Sequence, residues 1–385
     1  MTIETGRKGV DLLFKLYEED NPLYPINKST TGIVLEFIGG EPLLNVPVMD
    51  DICSYFFEKC IELNHPWTYR TRIGFISNGT LYFNEEVQNF LKKFDHLLSF
   101  SITIDGPQEI HDLCRVYPNG QGTFSDVYRA VKHYSEHYHP MDNTKVTLAP
   151  ENIHELSTIA KFFIDNNIET IMANCAYEPK WTVEHAKIFY QQLKELTPIL
   201  LEHPRTYLWL FDETIGTPMT DSADDDRNWC GGTGRMLSFD PKGDLYPCIR
   251  YMASSLNGAQ EPIKLGDING FFTDEKTIKI QEDMNAVTRT SQSPEKCLKC
   301  KIARGCAWCS AWNYQLYGTV NKRCTNICIM HKARVLANVY FWNQYYKKYN
   351  IDRQFLMYLP KEEALEIINE NEYNMLLDLG GKGEE

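Results

Sequence analysis

Cysteine is the residue type whose spacing in this chain could do chemistry. Six of the 12 cysteines fall between Cys297 and Cys328, as Cys297-Leu-Lys-Cys300, Cys306-Ala-Trp-Cys309 and Cys324-Thr-Asn-Ile-Cys328. Two more, Cys230 and Cys248, stand upstream with Gly243 between them. A turn between cysteines two residues apart aims both sulfurs inward, so such pairs gather soft thiolates round a metal centre. Disulfides and structural zinc are the alternatives. Zinc ribbons usually close with four ligands, whereas eight cysteines in two blocks suit two centres better, so iron–sulfur is the favoured reading. Cys53, Cys60, Cys114 and Cys175 lie apart and read as ordinary core or surface residues.

Three polar stretches form a second set. Gly39-Gly40-Glu41-Pro42 offers backbone that a ligand can approach closely and one carboxylate able to accept from an ammonium. Ser77-Asn78-Gly79-Thr80 can hydrogen-bond a sugar or cap a helix. Thr103-Ile-Asp105-Gly106-Pro107, followed by His111-Asp112 and Arg115, adds hydroxyl, carboxylate and guanidinium, and the guanidinium suits bidentate capture of a ligand carboxylate. Each stretch alone reads equally as a plain loop, a cap or an exposed ion pair. In succession they favour a zwitterionic nucleoside ligand.

These stretches need elements to position them. Val10, Leu13 and Leu16 share a helical face, so a helix opens the chain. Buried-strand runs at 32–38, 71–76, 97–104, 144–149 and 168–174 alternate with helices at 46–63, 84–94, 124–137, 152–166 and 183–197. This alternation predicts right-handed crossovers and a parallel sheet. Each polar stretch then follows a strand, at the carboxyl end where parallel α/β folds place function. Residues 201–229 read as a connector, with Asp221–Asp226 a solvated loop. Beyond it, Pro241-Lys-Gly243 reads as a hairpin turn, Leu265–Ile268 as a short strand and turn, and Ile329–Tyr346 as an aromatic-rich helix. The tail from 373 onward is expected to fray.

Composition bounds the rest. Of 385 residues, 43% are hydrophobic and 12% aromatic, enough for buried cores in two domains. A net charge of −13 without a basic patch disfavours a nucleic-acid partner. No apolar run of membrane-spanning length or signal peptide is visible, so the many cysteines point to a reducing cytoplasm.

Taken together, these residues resemble the radical S-adenosylmethionine enzymes that carry a SPASM domain, over about residues 1–335. The resemblance implies an α/β fold: a partial TIM-type β/α barrel lacking its first strand (1–200), the connector (201–229), a small cysteine-rich SPASM domain (230–335), and C-terminal helices and tail (336–385). It implies that Gly39, Gly40, Glu41 and Pro42 bind the methionine amine of S-adenosylmethionine. Ser77, Asn78, Thr103, Asp105 and Arg115 match further cofactor-binding positions, Thr103 standing where the family has serine. It also implies two auxiliary [4Fe–4S] clusters. The first would use Cys230, Cys248 and Cys309, leaving one iron open for a substrate cysteine thiolate. The second would use Cys297, Cys300, Cys306 and Cys328, with Cys324 as the alternate. Cys309 comes one residue earlier than the family spacing.

The stretch Gly305–Tyr314, with Asn321-Lys-Arg and Ile327–Ala333, looks most like maturases of ribosomally made cysteine-rich peptides, which form thioether crosslinks. Such a likeness implies a precursor peptide and an electron donor such as ferredoxin or flavodoxin as partners. Anaerobic sulfatase maturases are the runner-up, although Ile249 follows Cys248 where they are expected to carry an acid. The family's Cys-x3-Cys-x2-Cys, which binds the catalytic cluster, is absent from these residues, so a truncated chain, inactive alone, is the expectation. A non-catalytic iron–sulfur relay and a zinc-stabilised peptide binder are the competing readings.

Overall fold

The computed structural model describes residues 1–140, 143–220, 222, 226–228, 230–269 and 274–383. The opening helix, α1 (Ile3–Glu19), is capped by the Thr2 hydroxyl, which accepts from the Thr5 N–H at 3.1 Å. It ends where Asp20 turns left-handed, and Val10, Leu13 and Leu16 are all buried on its apolar face.

Strands β1 (Ile33–Phe37), β2 (Thr71–Ser77) and β3 (Leu98–Ile102) form a parallel sheet in the order β1-β2-β3, with Leu35 opposite Ile73 and Ile73 opposite Leu98. The helices α2 (Val46–Glu62) and α3 (Glu85–Phe94) are the crossovers that parallel pairing requires. A second parallel sheet, reached from β3 through α4 (Phe124–His137), contains β4 (Asn143–Leu148), β5 (Thr170–Cys175) and β6 (Tyr207–Leu208), with crossovers α5 (Leu156–Asp165) and α6 (Val183–Glu202). The five strands expected from sequence all form. The sixth, β6, lies in the stretch read as a connector. It is only two residues long, and its pairing to Thr170 and Ile171 is a tertiary decision rather than a local one.

Side chains alternate across these strands. Ile73, Phe75, Phe100, Val146, Leu148 and Ile171 point into one continuous core beneath the helices. On the opposite face, Val34, Glu36, Arg72, Ile76, Lys145, Thr147 and Asn174 are exposed. A closed β/α barrel fills its interior with branched apolar side chains, whereas this face carries both charges and hydroxyls.

The cysteine-rich segment begins with an antiparallel sheet, β7 (Ser238–Phe239), β8 (Asp244–Tyr246) and β9 (Gly266–Asp267). Its first turn is the expected Pro241-Lys-Gly243. Asp240 Oδ1 accepts from the N–H groups of Lys242 (2.8 Å) and Asp244 (3.0 Å). Gly243 has φ +92°, and a Cβ there would lie 2.8 Å from Ile268 Cδ1, so this position excludes other residues.

Helices α7 (Glu275–Asn285), α8 (Ser310–Tyr317), α9 (Cys328–Lys348) and α10 (Glu370–Gly380) complete the chain. The core joins α9 and α10 to the second sheet. The tail expected to fray is instead a helix, capped by Asn369, with Tyr373 and Leu376 buried. Most of Asp221–Asp226 lies outside the described residues. No helix among the described residues is long and apolar enough to cross a membrane.

Candidate functional site

The first two strand ends meet at Glu41, and the third joins them through Ser77. After β1 the chain passes Gly39 and Gly40, both exposed, and Glu41 caps the short helical turn Pro42–Asn45 by accepting from the Leu43 N–H at 3.0 Å. Its Oε1 also accepts from the Ser77 hydroxyl at 2.8 Å, and its Oε2 accepts from the Asn78 N–H at 2.8 Å, both at the end of β2. A carboxylate offers about four acceptor positions, and three are engaged here. Neither Gly39 nor Gly40 has positive φ, and a Cβ added to either meets nothing within 4 Å. Glycine is therefore not demanded by backbone strain or packing at these two positions, and the space beside them is open.

Ser77 and Asn78 are held in turn. Ser77 Oγ accepts from Gly79 N–H at 2.9 Å, while Asn78 Oδ1 accepts from the Thr80 N–H (3.0 Å) and hydroxyl (2.7 Å). Thr103 adjoins them, donating its N–H to the Ser77 carbonyl at 2.8 Å. Asp105 and Arg115 pair with each other through Oδ2 and Nε. The buried His111 organises this third strand end. The Asp105 N–H donates to His111 Nδ1 at 3.2 Å, so Nε2 carries the proton and donates to Thr123 Oγ1 at 3.0 Å. The Thr123 hydroxyl passes the chain on to the Arg115 carbonyl at 3.0 Å. Burial holds the His111 pKa below that of an ordinary imidazole, which keeps this neutral tautomer in place.

The thiols fall into two constellations. Cys230, Cys248 and Cys309 lie within electrostatic reach of one another, and a Cβ at Gly232 would sit 3.5 Å from Cys230 Sγ and 3.7 Å from Cys248 Sγ. Cys297, Cys300, Cys306 and Cys328 form the other. Cys324 stands apart, donating its thiol to Asn326 Oδ1 at 3.0 Å. Burial pushes Cys248 up to about 12 and Cys306 up to about 11, and raises Cys300, Cys309 and Cys328 as well. Thiols so placed give up their protons only when a cation replaces them. All 12 cysteines are free.

Two local features assist that exchange. Cys309 caps α8, its sulfur accepting from the Trp312 N–H at 3.4 Å, and Cys328 is the first residue of α9, so both sulfurs sit at positive helix ends. Buried donors without partners also lie alongside. Arg289 Nε is unpartnered while its Nη2 donates to the Cys297 carbonyl at 3.1 Å, and Trp312, whose backbone N–H donates to Cys309, has an unpartnered Nε1. Buried N–H groups left open on side chains whose residues contact Cys297 and Cys309 fit a sulfide-bearing cluster. Among the described residues no three His, Cys, Asp or Glu side chains stand close enough to hold a single metal ion; thiolates round one zinc would lie about 3.8 Å apart.

Both constellations flank the end of β5. Tyr177, two residues past that strand, is half-buried with Cys230, Cys306 and Cys309 around its phenol. Its carbonyl accepts from Asn326 Nδ2 at 2.7 Å, and the next residue, Glu178, accepts from Arg250 Nη2 at 2.6 Å. Burial alone would raise the Glu178 pKa, but the Arg250 contact and backbone hydrogen bonds together outweigh it and leave a carboxylate below its ordinary range. Sequence reasoning missed Tyr177, Arg250 and Arg289, because none lies in a recognisable spacing, and it quoted Arg323 within Asn321-Lys-Arg without giving it a role. Cys53, Cys60 and Cys175 are buried in the core, remote in role from either constellation.

No protein-family model matches the chain. It is 26% identical over 298 residues to the cysteine-type anaerobic sulfatase-maturating enzyme of Clostridium perfringens (strain ATCC 13124), an alignment covering 73% of this chain and 74% of that one. The same enzyme from strain 13 is 24% identical over the same length. The fold matches that of native anSMEcpe with bound AdoMet and the Cp18Cys peptide at a TM-score of 0.62 and 18% identity, covering 91% of this chain and 92% of that one. The polyhistidine-tagged form with bound AdoMet matches at a TM-score of 0.59, covering 95% and 89%.

Proposed function

Because this chain is a homologue of the cysteine-type anaerobic sulfatase-maturating enzymes and has the fold of radical S-adenosylmethionine proteins with a SPASM domain, we propose that it is a peptide maturase forming a thioether crosslink at cysteine. Its six parallel strands read as an incomplete β/α barrel. The observation that carries the proposal is the division of seven thiols into two constellations beside the end of β5.

In this reading Cys297, Cys300, Cys306 and Cys328 hold one [4Fe–4S] cluster, and Cys230, Cys248 and Cys309 hold another with one iron left for a substrate thiolate. Glu41 accepts from the ammonium of S-adenosylmethionine, which approaches over Gly39 and Gly40 against Pro42. Ser77, Asn78 and Thr103 face its sugar, while the Asp105–Arg115 pair adjoins them. When bound, the cofactor and the clusters supply the radical and electron-transfer chemistry. The chain positions a precursor peptide against the polar face of Glu36, Arg72, Lys145 and Asn174, and an electron donor such as ferredoxin or flavodoxin supplies electrons in the cytoplasm. Cleavage of the cofactor also needs a cluster on Cys-x3-Cys-x2-Cys. These 385 residues do not contain that spacing, so they are proposed to bind the nucleoside without cleaving it.

Sulfatase-type maturation is the second reading, favoured by the 26% identity. Against it stands Ile249 where an acid is expected. Anaerobic iron and sulfide analysis tests the cluster assignment. Mass spectrometry of a cysteine-containing precursor, incubated with the reconstituted chain together with a polypeptide that supplies the Cys-x3-Cys-x2-Cys cluster, separates the two chemistries. A crosslink retains the cysteine sulfur; loss of that sulfur would overturn the thioether proposal.

A further inference from the structure

Arg323 is 8% exposed, and its guanidinium donates to sulfur. Nη2 lies 3.1 Å from Cys306 Sγ, 3.1 Å from the Cys306 carbonyl and 3.4 Å from the Ala307 carbonyl, and Nη1 lies 3.3 Å from Ser293 Oγ. Among the described residues it makes no ion pair with a carboxylate. A buried guanidinium left without a counter-charge is strongly unfavourable. Of its four acceptors, two carbonyls and a hydroxyl are neutral, and only Cys306 can become an anion.

The other cations near the thiols are either paired with carboxylates or turned to backbone carbonyls rather than to sulfur. Arg250, beside Cys309 and Cys248, is paired with Glu178 at 2.6 Å. Lys332, beside Cys328, is paired with Glu363 at 2.9 Å and Glu366 at 3.0 Å. Arg334 is turned to the carbonyls of Leu210 (2.8 Å) and Trp209 (2.5 Å), and Arg289 to the Cys297 carbonyl. Among the described residues, Arg323 alone donates a guanidinium hydrogen bond to a thiol sulfur.

Resting on the two-cluster reading above, we propose that Arg323 is the positioning residue that sets the reduction potential of the cluster held by Cys297, Cys300, Cys306 and Cys328. Net charge and hydrogen bonds to the ligating sulfurs govern such potentials. Reduction adds a negative charge to the cluster, so a guanidinium hydrogen-bonded to Cys306 Sγ favours the reduced state and raises the potential of this centre. The constellation of Cys230, Cys248 and Cys309, whose neighbouring arginine is neutralised by Glu178, lacks that bias.

The test is an anaerobic, EPR-monitored dithionite titration of the reconstituted full chain and of Arg323→Gln and Arg323→Lys, with iron and acid-labile sulfide measured on each. Arg323→Gln should move one of two midpoint potentials negative, by about 59 mV for each tenfold loss of preference for the reduced state. That potential should be the one missing from Cys297→Ser, while the other stays in place. Arg323→Lys, which keeps the charge, should move it less. If Arg323→Gln fails to assemble the second cluster, Arg323→Lys decides: near-parent iron and potential support the proposal. Two unmoved potentials at full iron content overturn it, as does a lysine variant displaced as far as the glutamine. A parent chain without labile sulfide would instead overturn the cluster reading on which it rests.

Discussion

Glu41 and Ser77, 36 residues apart, share a hydrogen bond of 2.8 Å that ties the end of β1 to the end of β2. The other carboxylate oxygen takes the Asn78 N–H, so one side chain fixes two turns and keeps an acceptor position in hand. Glutamine cannot do this. Whichever way its amide is turned, an NH₂ group faces another donor. We expect Glu41→Gln to lower stability by about 1–3 kcal/mol and to weaken S-adenosylmethionine binding about tenfold or more, since a contact to a charged group is worth about 1.5–3 kcal/mol. Iron content should not change. Equilibrium dialysis with labelled nucleoside, beside iron analysis, checks this. Unchanged affinity, or iron falling in step with it, would remove Glu41 from the ligand site.

Cys324 and Cys328 were equivalent candidates by spacing, and geometry separates them. Cys328 opens α9 within reach of Cys297 and Cys300, whereas Cys324 donates its thiol to Asn326. Cys300→Ser and Cys328→Ser should each lose about four of about eight irons and destabilise the module, because metal binding and folding are coupled. Cys324→Ser should keep them all. Iron loss in Cys324→Ser with retention in Cys328→Ser would exchange the two assignments.

How much of this was legible beforehand depended on whether a signal was local. Gly39-Gly40, Asn78-Gly79 and Asp105-Gly106-Pro107 interrupt apolar runs, so the strand ends and their polar residues stood out. The cysteine blocks were equally plain. β6 was not, because two residues paired to Thr170 and Ile171 carry no periodicity of their own. The last helix was hidden by a glycine-rich end, although Tyr373, Leu376 and Gly380 do recur at helical spacing and are buried. Arg323 reads as one more charge until the fold lays it on Cys306, 17 residues away in sequence. The link from His111 to Thr123 was invisible for the same reason: a partner 12 residues distant is chosen by the fold.

His331 carries a pH dependence. It is buried, its Nε2–H donates to the Ile302 carbonyl at 2.7 Å, and burial lowers its pKa from 6.5 to about 4. Between those values the unfolded chain binds a proton that the folded chain refuses. The stabilisation is therefore complete above about pH 6.5 and is lost as pH falls toward 4. Such a shift corresponds to about 3 kcal/mol. His331→Gln retains an N–H for the carbonyl and does not titrate, so its urea-unfolding free energy should decline less steeply from pH 7 to pH 5 than the parent's. Parallel slopes would mean that His331 is not the titrating group.

Gly39 and Gly40 allow structure and binding to be told apart. Both have ordinary φ, both are exposed, and an added Cβ has no neighbour within 4 Å. Folding therefore places no demand for glycine there, in contrast to Gly243, where a Cβ would strike Ile268. Glycine at 40 gains its meaning only if something else comes to lie against the backbone. Gly40→Val should keep stability within about 0.5 kcal/mol of the parent, as surface substitutions do, while its two added methyls intrude where the cofactor's methionine end would sit. We expect S-adenosylmethionine affinity to drop about tenfold or more at unchanged denaturant midpoint, a free-energy difference of about 1.4 kcal/mol. Full affinity in Gly40→Val would mean that the open space beside this turn is not where the nucleoside binds. A collapse in stability would mean that the glycine serves the fold after all.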